Sequence, residues 1–238
     1  MKLAIMQPYF LPYIGYFQLI AAVDLFVLYD NIEYTKKGFI NRNYMLQNGK
    51  SAAFTLPLTS DSDYLDICNR KLAINFNRIK ILNQFKEAYR RAPYFSKTFS
   101  LLEEIIFYES SSLFQFLRHS IIKICTYFDL TTEIKISSEI AIDHTLKNQD
   151  KVLAICEAVG AKIYVNSVGG MALYSTKLFQ SKGVDLKFLR SKIIEYPQLG
   201  ANFVPLLSIV DVLMFNSREN IKTHIADNYD LVSNIMID

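Results

Sequence analysis

The sequence of 238 residues predicts an α/β protein built on a parallel sheet. Three observations predict it. Short apolar runs alternate with helix-length segments near the start of the chain, the texture of βαβ units. Residues 61–130 then interrupt that texture with amphipathic segments that contain no glycine. From about residue 131 the alternation of strand and helix resumes. The expectation is a single α/β domain over 1–238, with 61–130 a helical insert or cap. Composition agrees with a folded chain: 51% of the residues are apolar and 21% are charged.

The elements follow in chain order. Leu3 to Met6 is a short apolar strand stopped by Pro8. An aromatic loop, QPYFLPYIGYF (7–17), leads into an apolar run of helical length, Phe17 to Val23, and then into a buried strand, DLFVLYD (24–30). SAAFTLPL (51–58) is a further strand, ended by Pro57. In the glycine-free stretch Ile74, Ile81, Leu82, Phe85 and Tyr89 recur every three or four residues ahead of Pro93. Ser96 to Tyr108 and Ser112 to Phe128 form two more amphipathic helices, and Ser110 to Ser112 supplies the break and an N-cap. TEIKISS is an alternating strand, and NQDKVLAICEAVG is a helix with Gly160 at its end. AKIYVNS is a strand before Gly169 and Gly170, VDLKFLR is a strand after Gly183, and FVPLLSIVDVLMFN is a helix opened by Pro205.

Several function classes are excluded. The net charge of +3 is far from the basic footprint of a nucleic-acid binder. No apolar run approaches the roughly 20 residues of a membrane span, and the apolar start is too short for a signal peptide, so the expected location is the cytoplasm. Cys68, Cys125 and Cys156 have no metal-binding or disulfide spacing, and Cys125 and Cys156 sit in apolar runs as inert buried thiols. His119, His144 and His224 are far apart, so no metal site is expected. The sequence leaves a homodimer open.

Three loops carry the candidate chemistry. The first is the tyrosine loop after the first strand, where open parallel sheets bind ligands and a helix start presents unpaired N–H groups to an anion. Gln7, Tyr9, Tyr13 and Tyr16 are as suited to a site as to a core, whereas Phe10, Leu11, Ile14 and Phe17 read as core. Gly15 permits close approach to the backbone. The second is DNIEYTKKGFINRNYM (30–45), which ends a strand at Asp30 and gathers Lys36, Lys37, Asn41, Arg42 and Asn43, the residue types that recognise phosphate. The third is VNSVGGMALY (165–174), where Ser167, Gly169 and Gly170 outline a phosphate cradle or an ordinary glycine turn. Finally, Asp211 lies three residues after Ser208 on an apolar helix, where an acid is either paired in the core or turned into a site.

In order along the chain, QPYFLPYIGYF, DLFVLYDNIEYTKKGFINRN, RRAPYF, LAICEAVGAKIYVNSVGGMALY and YPQLGANFVPLLSIVDVLMFN resemble the pattern of the WbqC-like family nearly end to end. That resemblance implies a part in assembling a surface polysaccharide (O-antigen), with glycine or a related acyl group transferred to a sugar. The layout is also similar to the Rossmann-like nucleotidyltransferase folds, which carry an HxGH loop here; Tyr13 and Tyr16 stand at the two histidine positions. A tyrosine can donate a hydrogen bond but brings no imidazolium charge. The expected function is an amide-forming transferase acting on a nucleotide-linked amino sugar, with Tyr13, Asp30 and Asp211 as candidate catalytic groups. Asp30 or Asp211 would take the amine's proton, and Arg42 with Lys37 would hold the diphosphate. The alternatives are an adenylating ligase that uses ATP and magnesium, and a sugar-binding subunit without catalysis.

Overall fold

The computed structural model describes residues 1–62, 64–200 and 202–233. The chain opens with β1 (Lys2–Met6), α1 (Ile14–Ala21) and β2 (Leu25–Leu28), the predicted βαβ unit. A hairpin follows, β3 (Arg42–Gln47) and β4 (Lys50–Thr55), then α2 (Arg78–Tyr89), α3 (Phe95–Ile106) and α4 (Leu113–Tyr127). The second α/β stretch contains β5 (Glu133–Ile136), α5 (Asn148–Ala158), β6 (Ile163–Ser167), α6 (Thr176–Ser181) and β7 (Asp185–Ser191). It ends in α7 (Ile209–Phe215), α8 (Arg218–Asp227) and β8 (Tyr229–Val232).

Six strands form one sheet in the order β5-β2-β1-β6-β7-β8. The first five are mutually parallel and β8 runs antiparallel to β7. The predicted α/β class and its Rossmann-like layout therefore hold. Both faces are covered, which is why the strands read as near-continuous apolar runs. Leu3, Ile5, Leu25 and Val27 face α5 and α6, through Val152, Ile155, Cys156 and Phe179. Ala4, Phe26, Leu28 and Val165 face the other way, into a core shared with α1, α7, α8 and the helices α2 to α4. Cys125 and Cys156 are buried thiols whose pKa desolvation pushes up to about 12.

Several boundaries differ from expectation, each for a local reason. Residues 42–47, expected in a loop, are strand β3, because Asn48 and Gly49 adopt the positive φ values (51° and 72°) of a tight hairpin turn. The last apolar helix begins at Ile209 and not at Pro205, because Leu206 is left-handed (φ 60°) and Ser208 is the cap. Ser208 and Asp211 are thus a cap and a first-turn residue, not two positions on one helix face. Ile74, expected on a helical face, is fully exposed ahead of α2, which starts at the Asn77 cap. Gly169 and Gly170 lie within a 3₁₀ turn over Val168–Leu173 that precedes α6.

One detail of register positions the site. β1 pairs with β2 from Leu3 to Met6, but with β6 only at Lys2 and Leu3. The two central strands part toward their carboxyl ends. The chain also reverses its direction across the sheet between them, since β2 and β5 lie on one side of β1 and β6 to β8 on the other. Such a reversal point is where open α/β sheets leave a crevice.

Candidate functional site

A cleft of about 430 Å³ occupies that crevice. Met6 of β1, Ser167 and Val168 after β6, and Leu189 and Ser191 of β7 form its sheet side. The tyrosine loop and the start of α1 contribute Tyr9, Pro12, Tyr13, Gly15, Tyr16 and Leu19. Phe39 and Asn43 close a third side, and Ile193 and Leu206 stand at the mouth. Among the described residues no lining side chain is charged. The polar groups are tyrosine and serine hydroxyls and the Asn43 amide, set in apolar walls, which is the usual make-up of a small-molecule site.

The tyrosines have distinct jobs. Tyr13 precedes α1 and shares a hydrogen bond with Ser191 across the cleft (OH to Oγ, 3.2 Å). Tyr16 donates to the Gln7 carbonyl (3.0 Å), and burial, reinforced by Tyr9, holds its phenol well above the ordinary range. Tyr9 donates to Gln7 Oε1 (3.4 Å), tilts against Tyr16 and Phe39, and is also raised by burial. The Tyr9 and Tyr16 phenols are therefore protonated donors near neutral pH. Gly15 lies under the Tyr13 ring: a Cβ here would be 3.0 Å from Tyr13 Cε1 and 3.4 Å from Ser191 Cβ. The first turn of α1 consequently comes within reach of anything in the cleft, and its unpaired N–H groups suit a negatively charged group.

Of Asn41, Arg42 and Asn43 only Asn43 reaches the cleft, and it ties β3 to the tyrosine loop. Asn43 is buried; its Nδ2 donates to the carbonyls of Phe10 (3.2 Å) and Leu11 (3.0 Å), and its Oδ1 accepts from the Tyr44 amide. Leu11 has a positive φ of 44°, a strained setting for a leucine. Its carbonyl accepts a second bond from Ser208 Oγ (2.7 Å), while the Ile209 amide donates to the Pro12 carbonyl (2.9 Å). Asn43 and Ser208 thus clamp the strained turn from both sides.

Other predicted residues lie outside the cleft lining. Asn41 is buried, accepting from Tyr34 and donating to the Leu56 carbonyl. Arg42 donates to the carbonyls of Gly38 (3.2 Å) and Lys36, so its guanidinium shapes the 35–38 turn; Lys37, on that turn, is exposed. Gly170 packs beneath Asn166, where a Cβ would be 3.2 Å from Oδ1, while Gly169 is open; neither lines the cleft. Gln7 stands just behind the lining.

The two acids lie elsewhere. Asp30, at the end of β2, accepts from Ser137 Oγ (2.9 Å), the Ser138 amide (3.0 Å) and Ser138 Oγ (2.7 Å) beside β5. Asp211 is fully buried and accepts from Tyr89 (2.9 Å), Tyr196 (2.8 Å) and Gln198 (2.7 Å). Burial raises its pKa and those three donors oppose the rise. It anchors the chain leading from β7 to α7, the segment that carries Leu206. Among the described residues no group of three His, Cys, Asp or Glu could hold a metal ion, and no helix is long and apolar enough to cross a membrane.

Sequence reasoning missed Phe39 as lining and passed over Leu189, Ser191, Ile193 and Leu206. Ser191 had a usable signal: it directly follows the predicted strand VDLKFLR, on the same sheet edge as the tyrosine loop. Leu206 had none, since proximity to the cleft depends on how the 192–208 segment folds back.

Over 220 residues the chain is 27% identical to an uncharacterized protein of Mycobacterium tuberculosis (strain ATCC 25618 / H37Rv), Rv1507c, an alignment spanning 90% of this chain and 93% of that one. No solved structure matches it significantly. The model of the WbqC-like protein family matches residues 7–223, from the tyrosine loop into α8, and with that extent the chain belongs to the WbqC-like protein family.

Proposed function

We propose that this protein is a transferase that joins an acyl group to the amine of a nucleotide-linked amino sugar, in the assembly of a surface polysaccharide. The observation that carries the reading is the uncharged, tyrosine-walled cleft at the point where the sheet reverses its strand order. The faces of Tyr9 and Phe39 suit a sugar or base ring, and the first turn of α1 suits the phosphate. In this reading the diphosphate leaves the mouth beside Phe39, and the exposed Lys37, two residues earlier in the chain, is the candidate cation for it.

The same lining suits amide formation. An amine must be neutral to attack, and an apolar cleft disfavours the ammonium form, so desolvation does part of a general base's work. The Tyr13 and Ser191 hydroxyls can donate to the carbonyl oxygen as it gains charge. In this reading Asp211 is a positioning residue acting through Tyr196 and Gln198, and Asp30 fixes the Ser137–Ser138 turn. An adenylating ligase would bring a triphosphate with its magnesium, and among the described residues the lining offers neither a cation for the one nor a carboxylate for the other; the transferase reading, which asks the lining to hold a ring and leaves the diphosphate toward the mouth, is preferred.

Isothermal titration with UDP- and dTDP-linked amino sugars tests the proposal. Binding that weakens about tenfold or more in a Tyr9→Ala, Phe39→Ala double variant is expected, as two stacking faces worth about 1–3 kcal/mol each would be lost. Absence of binding by every such nucleotide, or unchanged affinity in the variant, would overturn it.

A further inference from the structure

The walls of the cleft also bear on what is transferred. We infer that the acyl group carries an apolar chain, which lies along the Ile193 and Leu206 side of the cleft and arrives as an acyl thioester. This rests on the transferase reading and specifies its donor. Three observations support it. First, the cleft is floored by Met6, Leu19 and Leu189, and its mouth displays Ile193 and Leu206, 63% and 64% exposed. Apolar side chains held open to water at the lip of an apolar cleft gain when a ligand covers them. Second, among the described residues no lining residue is a carboxylate. A glycyl group would bring an ammonium into walls with no counter-charge, a costly burial that a neutral chain avoids. Third, Leu206 holds a φ of 60°, a conformation that asparagine or glycine adopts more readily. A leucine there accepts backbone strain to present its side chain at the mouth, and strain of this kind gathers at ligand sites.

The step balances simply. The sugar nitrogen's lone pair forms the bond to the acyl carbon, the carbon–sulfur bond breaks, and the thiolate leaves with that electron pair. The nitrogen's proton passes to the thiolate or to water. Tyr13 and Ser191 would meet the acyl oxygen, leaving the chain to run outward past Ile193 and Leu206.

The test is a series of N-acetylcysteamine thioesters bearing glycyl, acetyl, butanoyl, hexanoyl and octanoyl groups, with affinity measured by titration. Affinity should tighten about fourfold per methylene until the cleft is filled, and the glycyl thioester should bind no better than the acetyl one. In Leu206→Asn, an exposed position where asparagine tolerates the backbone, melting temperature should hold or rise while the chain-length dependence flattens. Equal affinity across the series, no binding of any thioester, tighter binding of the glycyl thioester, or an unaltered slope in Leu206→Asn would each overturn the inference. So would a mouth that binds phosphatidylcholine vesicles in preference to the thioesters, since the rim would then be a membrane contact. Titrating the amino-sugar nucleotides in the same preparations separates the two ideas: if they bind while the thioester series is flat, only the donor assignment fails.

Discussion

The clamp on Leu11 makes a quantitative demand. Asn43→Ala removes two buried hydrogen bonds, to Phe10 and Leu11, and a partly buried one from Tyr44, and at about 1 kcal/mol net for each it should cost about 3 kcal/mol. Ser208→Ala removes the α7 cap, worth about 1 kcal/mol, and the bond to the Leu11 carbonyl, worth about the same. In either single variant that carbonyl keeps one donor. With both changes it is left without either in the interior, and an orphaned buried acceptor costs about 1–3 kcal/mol beyond the bonds themselves. The double variant should therefore exceed the sum of the singles by about that amount. Urea denaturation of all four proteins, in a fixed concentration of trimethylamine N-oxide to keep the double variant folded, measures the coupling. Ser208→Ala alone should lower the melting temperature by about 4–8 °C for a chain of this length. Additivity within about 0.5 kcal/mol would refute the idea that the two side chains share the task of holding one strained turn.

Further tests follow from neighbouring geometry. Gly15→Ala should leave stability within about 1 kcal/mol, since alanine's helical preference offsets the contact at 3.0 Å, yet push the Tyr13 ring and weaken binding of a nucleotide-linked amino sugar in titration. Asp211→Asn should destabilise by about 1–3 kcal/mol in urea denaturation, because an amide nitrogen would face the Tyr196 or Gln198 donor, or the Tyr89 hydroxyl on the other oxygen. Burial lowers the pKa of His119, stacked on Tyr108 at 3.9 Å, and of His224 below the ordinary 6.5. The unfolded chain therefore takes up these protons first, so their contribution to stability is intact above pH 6.5 and is lost as pH falls from there through the lowered native values. Urea midpoints measured from pH 7 to pH 5 should fall, and fall less in His119→Phe.

Much of this architecture is written in local pattern. Strands buried on both faces need continuous apolar runs, and β1, β2, β6 and β7 have them, so the α/β class follows from residues such as Leu25 to Leu28 alone. The glycine after α5 and the Ser112 cap of α4 are equally local, because each satisfies helix-end groups with its own neighbours. Asn48 and Gly49 were a readable hairpin signal, and reading them would have revealed β3.

The site divides differently. That the tyrosine loop follows the first strand, and so faces the ligand edge of a parallel sheet, is a consequence of chain order. Whether a given polar residue there meets a ligand or a neighbouring carbonyl depends on partners far along the chain. Asn43 reaches back 32 residues to Leu11, Ser208 reaches back 197, and Asp211 gathers Tyr89 from 122 residues away. Hydrogen bonds of that span have no period and no composition. They exist because the early parting of β1 from β6 opens a crevice, and the segments around it close on one another to keep their buried polar groups paired.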